Sequence, residues 1–176
     1  IDCDNEHFLI SGGTLWDGRT LYDLYKEAYT PWEWHAELQA VATELGLDFF
    51  STPFDATSVD FLQTLDVPLY KVASFELVDI PLLRKIGSTA KPVIMSTGMA
   101  SMAEIEESLS ALRDSGCPDV TLLKCTSAYP AAPENANLQT IPDMAHAFDC
   151  KVGLSDHTLG IAVPVAAIAL GACMIE

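Results

Sequence analysis

Polar residues that could bind an anion or move a proton stand where short apolar runs of this chain end. Lys71 lies within one run, between Tyr70 and Val72, so a strand there would bury its side chain. An unpaired buried ammonium is costly, which favours a functional role: Lys71 could hold an anion or, after losing its proton, form a Schiff base.

Glu76 lies just past the same run. Strict alternation puts Lys71 and Glu76 on opposite faces, so they share a pocket only if the chain turns near Ser74; a surface position is the alternative for Glu76.

The run Gly153-Leu154-Ser155-Asp156-His157 is a second reactive pattern. At a strand period of two, Ser155 and His157 share one face and could point into the same pocket. A histidine at a strand end suits a metal ligand or a general acid and base. A metal site needs two or three protein ligands, and the other histidines, in the leading stretch or in helical stretches, are poor partners: His7, His35 and His146.

The same parity places further polar groups. Ser127 and Tyr129 should face together, beside Ser96 and Gly98 on a neighbouring strand. Lys124 would point the other way, toward a layer of helices, and we interpret it as structural.

A repeat of strands and helices must position these residues. Five apolar runs end in a polar signature that a helix-like stretch follows, and in a β/α repeat the carboxyl ends of all parallel strands meet on one face. The predicted strands are Leu47–Ser51, Leu69–Ala73, Pro92–Ser96, Val120–Thr126, Val152–Ser155 and Ala172–Glu176. The predicted helices are Pro31–Leu45, Ala56–Leu65, Pro81–Ile86, Met102–Asp114, Asn135–Phe148 and Ile161–Leu170, and Ser101 with Glu104 predicts a capping box.

The predicted fold class is α/β, a TIM (β/α)8 barrel represented by a fragment with about six of eight β/α units. We expect residues 1–176 to form one partial barrel domain whose missing strands precede residue 1. An open doubly wound sheet is the alternative, but it normally carries a glycine-rich phosphate loop, and neither GxGxxG nor GxxxxGK[ST] occurs. The opening stretch Ile1–Tyr29 lacks a clear strand; it is either a long loop that shapes a pocket or a flap with Trp16 tucked into the core.

Composition excludes several partners. With 25 acidic against 9 basic residues, the net charge of −16 repels nucleic acid and anionic lipid. No leader or apolar run long enough for a membrane helix is found. The cysteines are odd in number, lack CxxC spacing and fit thiols in a reducing cytoplasm: Cys3, Cys117, Cys125, Cys150 and Cys173.

Several motifs in register resemble the sialic acid synthase family: Phe50-Ser51-Thr52-Pro53, Tyr70-Lys71-Val72-Ala73-Ser74-Phe75-Glu76, Lys91-Pro92-Val93-Ile94-Met95-Ser96-Thr97-Gly98-Met99 and Gly153-Leu154-Ser155-Asp156-His157-Thr158. Two more, Gly13-Thr14-Leu15-Trp16-Asp17-Gly18 and Tyr29-Thr30-Pro31-Trp32-Glu33-Trp34-His35, resemble its pseudaminic acid synthase branch. The resemblance implies a cytoplasmic homodimer in which a small antifreeze-like domain follows the barrel. It also implies condensation of phosphoenolpyruvate with an N-acetylated amino sugar for cell-surface glycans such as those of flagellin.

The resemblance also assigns roles. His157 matches one ligand of a divalent metal (Mn, Mg or Co) that polarises the sugar aldehyde, and the second ligand in the family lies two residues beyond the position of Glu176. Ser127 stands where sialic acid synthases proper carry Asn, while Tyr129 and Glu76 match residues that face the sugar or the reacting carbons. The positions that hold phosphoenolpyruvate are Thr52, Lys71, Ser74, Ser96 and Ser155.

Trp16 decides the expected sugar. It replaces an Asn of N-acetylneuraminate synthases, and a bulky apolar side chain suits a sugar with a methyl group in place of a hydroxymethyl. We therefore expect 2,4-diacetamido-2,4,6-trideoxy-altrose, with the sugars of N-acetylneuraminate or legionaminate synthases as alternatives. A Schiff-base aldolase acting through Lys71 and a non-catalytic barrel that binds sugar phosphates are more distant alternatives. The fragment alone is expected to be inactive.

Overall fold

The structure, a computed structural model, describes residues 4–13 and 16–176. Two compact units divide the chain, Ile1–Asp48 and Phe49–Glu176. Cys3, together with Thr14 and Leu15 of the motif before Trp16, lies outside the described residues. In the described part, none of the helices combines the length and the apolarity that crossing a membrane requires.

A four-stranded parallel sheet forms the centre of the second unit, in the order β1-β2-β3-β4. Each strand lies beside the next one in the sequence, and a helical connection returns the chain between them, which is the predicted β/α repeat. All four carboxyl ends therefore lie at the same edge of the sheet. The strands are β1 (Tyr70–Val72), β2 (Val93–Ser96), β3 (Val120–Cys125) and β4 (Lys151–Ser155).

A further segment extends the sheet beyond β4. The Leu154 N–H donates to the Met174 carbonyl at 3.0 Å, and the Glu176 N–H donates to the Leu154 carbonyl at 2.8 Å. The strand predicted at Ala172–Glu176 is thus paired in parallel with β4, although its regular part is short. Gly153 permits this approach, because a Cβ there would lie 2.6 Å from Met174 Cγ.

The hydrophobic core lies between the helices of the second unit and one face of its sheet. Alternate strand residues point into it: Val93 and Met95 from β2, Leu122 from β3 and Leu154 from β4 are at most 2% exposed. Residues of the other parity face away from the helices, which is where the predicted polar groups stand. The α-helices are α1 (Leu21–Ala28), α2 (Trp32–Glu44), α3 (Ala56–Thr64), α4 (Ile80–Gly87), α5 (Met102–Asp114), α6 (Thr140–Phe148) and α7 (Ala162–Ala169).

The strand predicted at Leu47–Ser51 does not form. The backbone there is irregular, and among the strands of the described residues β1 pairs with β2 alone. Continuous apolar runs become parallel strands when both of their faces are buried. Leu47 is 62% exposed and Phe50 is 38% exposed, so this run lacks the burial that would favour a strand.

The helix predicted over Asn135–Phe148 begins later than expected, at Thr140. A 3-10 turn occupies Pro133–Asn135, and Asn137 has a left-handed backbone with φ of 43°. A left-handed residue interrupts α-helical geometry, so two short elements replace one long helix. The remaining predicted helices and strands agree with the structure to within one or two residues.

The first unit contains α1 and α2, preceded by an irregular loop. A 3-10 turn spans Glu6–Phe8, and Leu9 forms an isolated antiparallel bridge with Thr20. Trp16 is 46% exposed. The alternative that tucked Trp16 into the core is therefore wrong, and the described residues between the 3-10 turn and α1 form no regular helix or strand.

The capping box at the start of α5 generates a stability prediction. Ser101 Oγ accepts the Glu104 N–H at 3.3 Å, and the Glu104 carboxylate accepts the Ser101 N–H at 2.7 Å, as the sequence predicts. We expect Ser101→Ala to lower the free energy of unfolding by about 1 kcal/mol. Urea denaturation checks this, with Ser110→Ala in the middle of the same helix as control. An equal loss in both variants would contradict the capping role.

Candidate active site

Lys71 is the buried cation of the site, on the face of β1 that points away from the helices. It is 6% exposed, and its ammonium donates to Ser96 Oγ on β2 at 2.8 Å and to the Val72 carbonyl at 3.0 Å. The Glu176 carboxylate lies 3.4 Å from the ammonium. Oxygens from three segments thus offset the cost of burying this charge. The predicted burial of Lys71 is confirmed, and the structure brings Ser96 to it.

Hydroxyl groups converge on the loop that follows β2. The Gly98 N–H donates to Ser74 Oγ at 3.1 Å. A Cβ at position 98 would collide with Ser127 Oγ and would lie 2.9 Å from Ser74 Oγ, so only glycine lets the two hydroxyls approach. Since Ser74 Oγ accepts the Gly98 proton, its own proton can be donated to a bound anion. Cys125 Sγ, 3.8 Å from Ser127 Oγ, lies beside this cluster.

His157 follows the end of β4 and is held by the loop after β3. Its Nδ1 lies 3.0 Å from the Thr126 carbonyl oxygen. A carbonyl can only accept, so Nδ1 carries the proton of this bond, and in the neutral form of the ring the lone pair is on Nε2. The Tyr129 ring packs against the imidazole with 4.1 Å between ring centroids and with the two planes tilted by 39°. Ser155, two residues earlier, is 4% exposed and pairs in register with Cys125 of β3.

A divalent metal fits this geometry only in part. The Nδ1 hydrogen bond to a backbone carbonyl is the arrangement that orients histidine ligands of metals, and it leaves Nε2 as the ligating atom. Among residues 4–13 and 16–176, no three His, Cys, Asp or Glu side chains form a group that could hold a metal. His157 therefore suits one coordination position, and the described residues do not complete a site.

Glu76 reaches the site through a sharp turn, as its spacing from Lys71 requires. Its N–H donates to the Ala73 carbonyl at 3.2 Å, and a 3-10 turn follows over Glu76–Val78. One carboxylate oxygen, Oε2, is buried without a hydrogen-bond partner. Burial raises the pKa of Glu76; the negative charge of Asp79 adds to the rise, and the ammonium of Lys71 opposes it.

A buried serine on α5 supports this turn. Ser108 Oγ is 2.7 Å from the Leu77 carbonyl and 2.6 Å from the Glu104 carbonyl of its own helix, and Ser108 has no exposed surface. The turn that carries Glu76 is thereby anchored to a neighbouring helix. Sequence reasoning missed Ser108, because a serine inside a helix gives no signal of such a partner.

Some predicted residues do not join the cluster. Thr52 is half-buried in the irregular segment before α3, and no hydrogen bond links it to Lys71 or Ser96 in the described part of the chain. Trp16 belongs to the first unit. Conversely, sequence reasoning missed Glu176 as a partner of Lys71. The pairing of the last segment with β4, which aligns Glu176 with the strand ends, could have revealed it.

The class of this protein follows from its fold and from the groups at one edge of its sheet. Ammonium, hydroxyl, carboxyl and imidazole groups lie at the carboxyl ends of consecutive parallel strands. It is a partial TIM barrel with a strand-end site suited to an anionic reactant. The chain belongs to the NeuB family, which it matches over residues 2–176. This confirms the predicted resemblance to sialic acid synthases.

Known relatives agree with this assignment. The chain is 46% identical to the pseudaminic acid synthase of Helicobacter pylori over 176 residues, all of this chain and 52% of that protein. It is 45% identical over 144 residues to the N,N'-diacetyllegionaminic acid synthase of Campylobacter jejuni, covering 81% of this chain and 43% of that protein. The chain thus spans about half the length of the curated relatives it matches.

A solved structure agrees with the fold. The crystal structure of N-acetylneuraminic acid synthetase from Leptospira borgpetersenii, in complex with citrate, superposes with a TM-score of 0.83 at 34% identity. The match covers 88% of this chain and 54% of that one. The α/β barrel architecture predicted from the sequence is thereby confirmed.

The buried carboxyl of Glu76 generates a pH prediction. Its folded-state pKa is raised, so the folded protein binds this proton more tightly than the unfolded chain does. We expect the free energy of unfolding, relative to Glu76→Gln, to fall as pH rises from about 4 to 7. Urea denaturation across this range measures the difference.

Asp66 is the contrasting control. Its hydrogen bond to Lys91 lowers the pKa of Asp66, so stability relative to Asp66→Asn should fall as pH falls through the acidic range. Equal slopes for both comparisons would contradict the burial of Glu76.

Proposed function

We propose that the protein condenses phosphoenolpyruvate with an N-acetylated amino sugar and releases phosphate, as a nonulosonic acid synthase. The observation that carries the proposal is the buried ammonium of Lys71, bonded to Ser96 at 2.8 Å at the carboxyl edge of the sheet. In a chain with a net charge of −16, a buried cation beside hydroxyl donors is where an anionic reactant finds attraction. The named relatives, which are synthases of such acids, support the same activity.

The proposed reaction joins two carbons and then exchanges an oxygen group. The enol carbon of phosphoenolpyruvate attacks the aldehyde carbon of the open-chain sugar, and the aldehyde oxygen takes up a proton. The resulting cation at the keto carbon takes up water, which loses a proton, and phosphate leaves as the C–O bond breaks. Lys71 and the hydroxyls of Ser74, Ser96, Ser127 and Ser155 hold the anionic reactant in place for these steps.

Glu76 is the proposed base. Its buried position beside Lys71, together with an Oε2 that lacks a protein partner, suits a carboxylate that accepts a proton from the attacking water. Tyr129 packs against His157 and is 75% exposed, which supports a proposed contact with the sugar. A divalent metal (Mn, Mg or Co), held in part by His157, would supply polarisation of the sugar aldehyde.

The charge on Lys71 is the first test. In the full-length protein, we expect Lys71→Met to lower kcat/KM for phosphoenolpyruvate about 100-fold or more. Steady-state release of phosphate measures this. Lys151→Met is the matched control, because Lys151 pairs with Asp119 at the opposite end of the sheet, at 2.7 Å. Activity that survives in Lys71→Met would contradict the anion-binding role, and borohydride trapping of substrate on Lys71 would indicate a Schiff-base aldolase instead.

The sugar is the second test. We propose 2,4-diacetamido-2,4,6-trideoxy-altrose, with Trp16 selecting against the hydroxymethyl group of N-acetylmannosamine. Trp16→Asn should shift the ratio of kcat/KM values toward N-acetylmannosamine by about 10-fold or more. Trp34→Asn, at an exposed position of α2, should leave the ratio unchanged. Faster phosphate release by the unaltered protein with N-acetylmannosamine or with the legionaminate precursor would reassign the substrate.

A further inference from the structure

Ser108 places a hydroxyl at a fully buried position of α5. Its neighbours on the buried face of this helix, Ile105, Leu109 and Leu112, belong to the hydrophobic core. Alanine is the better helix former and would avoid burying a hydroxyl, which costs free energy unless the group is hydrogen-bonded. The reason for a serine at this position must therefore lie in the groups that its hydroxyl contacts.

The Ser108 hydroxyl lies between two backbone carbonyls. Its Oγ is 2.6 Å from the Glu104 oxygen, four residues earlier in the same helix, and 2.7 Å from the Leu77 oxygen in the turn after β1. A hydroxyl has one proton to donate. The Glu104 carbonyl lies within α5, where the helical ladder supplies it with a backbone N–H. The Leu77 carbonyl is therefore the group that depends on Ser108.

The local sequence leaves the Leu77 carbonyl without a backbone donor. In a continuous helix the N–H four residues later would pair with it, but that residue is Pro81, which has no N–H. Leu77 has no exposed surface, so solvent cannot supply the donor. Among the residues that the structure describes, Ser108 is the one that donates to this carbonyl. The hydroxyl on α5 thus satisfies a buried acceptor that the turn itself cannot satisfy.

The same turn carries Glu76, the residue before Leu77. The Glu76 N–H donates to the Ala73 carbonyl, and the Glu76 carbonyl accepts the Asp79 N–H at 3.0 Å. Both of these bonds lie inside the turn, whereas the bond from Ser108 joins the turn to a different helix. The Leu77 side chain packs in the core, but apolar contact is not directional, and the hydrogen bond to its carbonyl also fixes the orientation of the peptide.

We propose that Ser108 is a positioning residue for Glu76, because its bond to the Leu77 carbonyl fixes the turn from which the Glu76 carboxyl reaches the reacting groups. The inference rests on the proposed role of Glu76 as the base. Within the described part of the chain, Glu76 Oε2 has no hydrogen-bond partner, so its position depends on the backbone that carries it. A displacement of about 1 Å in a catalytic group can lower the rate about 100-fold.

Ser108→Ala in the full-length protein tests this role by steady-state release of phosphate. We expect kcat to fall about 10-fold or more, while KM for phosphoenolpyruvate stays within about 2-fold, because Lys71 and Ser96 remain in place. Ser101→Ala is the matched control: it also removes a hydrogen bond from α5, but it does not touch the turn, so its kcat should be unchanged. An equal loss of kcat in both variants would show that weakening α5 is sufficient and would overturn the proposal.

Glu76→Gln distinguishes failure of this inference from failure of the proposed function. If Glu76→Gln keeps the kcat of the unaltered protein, Glu76 is not the base, and the inference fails with it. If Glu76→Gln lowers kcat and Ser108→Ala does not, the base stands and the positioning role alone is overturned. In the double variant kcat should be no lower than in Glu76→Gln, because the carboxyl that Ser108 positions is already gone. Losses that multiply would show that Ser108 acts separately from Glu76 and would overturn the inference.

Ser108→Cys provides an independent measurement, which also serves if Ser108→Ala does not fold. The thiol fills the space of the hydroxyl but is a weaker donor, so the Leu77 carbonyl is held less firmly. We expect kcat to fall by less than in Ser108→Ala, again with KM for phosphoenolpyruvate unchanged. A thiol variant with the kcat of the unaltered protein would show that the strength of this bond has no bearing on Glu76, and it would overturn the proposal.

Discussion

The burial of one ammonium group, that of Lys71, constrains much of the second unit. A cation inside a parallel sheet is stabilised by the oxygens around it, and for Lys71 these oxygens come from β1 itself, from Ser96 on β2 and from Glu176 beyond β4. Their convergence requires the observed register of the strands, because a slip by one residue would turn Ser96 toward the helices. Gly153 serves the same constraint by letting the last segment approach β4.

The two faces of the sheet hold buried lysines for different reasons. Lys71 faces the interior of the barrel, where the neighbouring carboxylate of Glu176 offsets its charge. Lys124 faces the helices with a single hydroxyl partner. The difference matters for energetics, since the first lysine is stabilised by charge and the second is only hydrogen-bonded. Sites that bind charged reactants commonly retain such locally unfavourable positions, and stability is supplied by the surrounding core.

Much of this arrangement could be predicted from the sequence. Apolar runs that end in polar residues indicate parallel strands, and the capping box at Ser101 locates a helix to the residue, because both signals depend on nearby side chains. Parity required a turn near Ser74 if Lys71 and Glu76 were to share a pocket, and the structure has a turn before Glu76. What the sequence could not show were contacts between distant segments, such as Glu176 with Lys71 and Ser108 with the turn of Glu76. The strand expected at Leu47–Ser51 was wrong for a related reason, because burial on both faces is a property of the fold and not of a run of residues.

Electrostatics links the composition to the site. A net charge of −16 repels anions at long range, but screening by salt confines that field to within about 10 Å of the surface. At the carboxyl edge of the sheet the balance is local: the buried ammonium of Lys71 and the hydroxyls of Ser74 and Ser127 act over a few ångströms, and interactions of buried groups are stronger than in water. An acidic surface is therefore compatible with the proposed anion site. Because attraction at the proposed site is short-ranged, binding of an anionic reactant would depend on the geometry of these few groups, and the glycine at position 98 is what lets the hydroxyls of Ser74 and Ser127 approach one another.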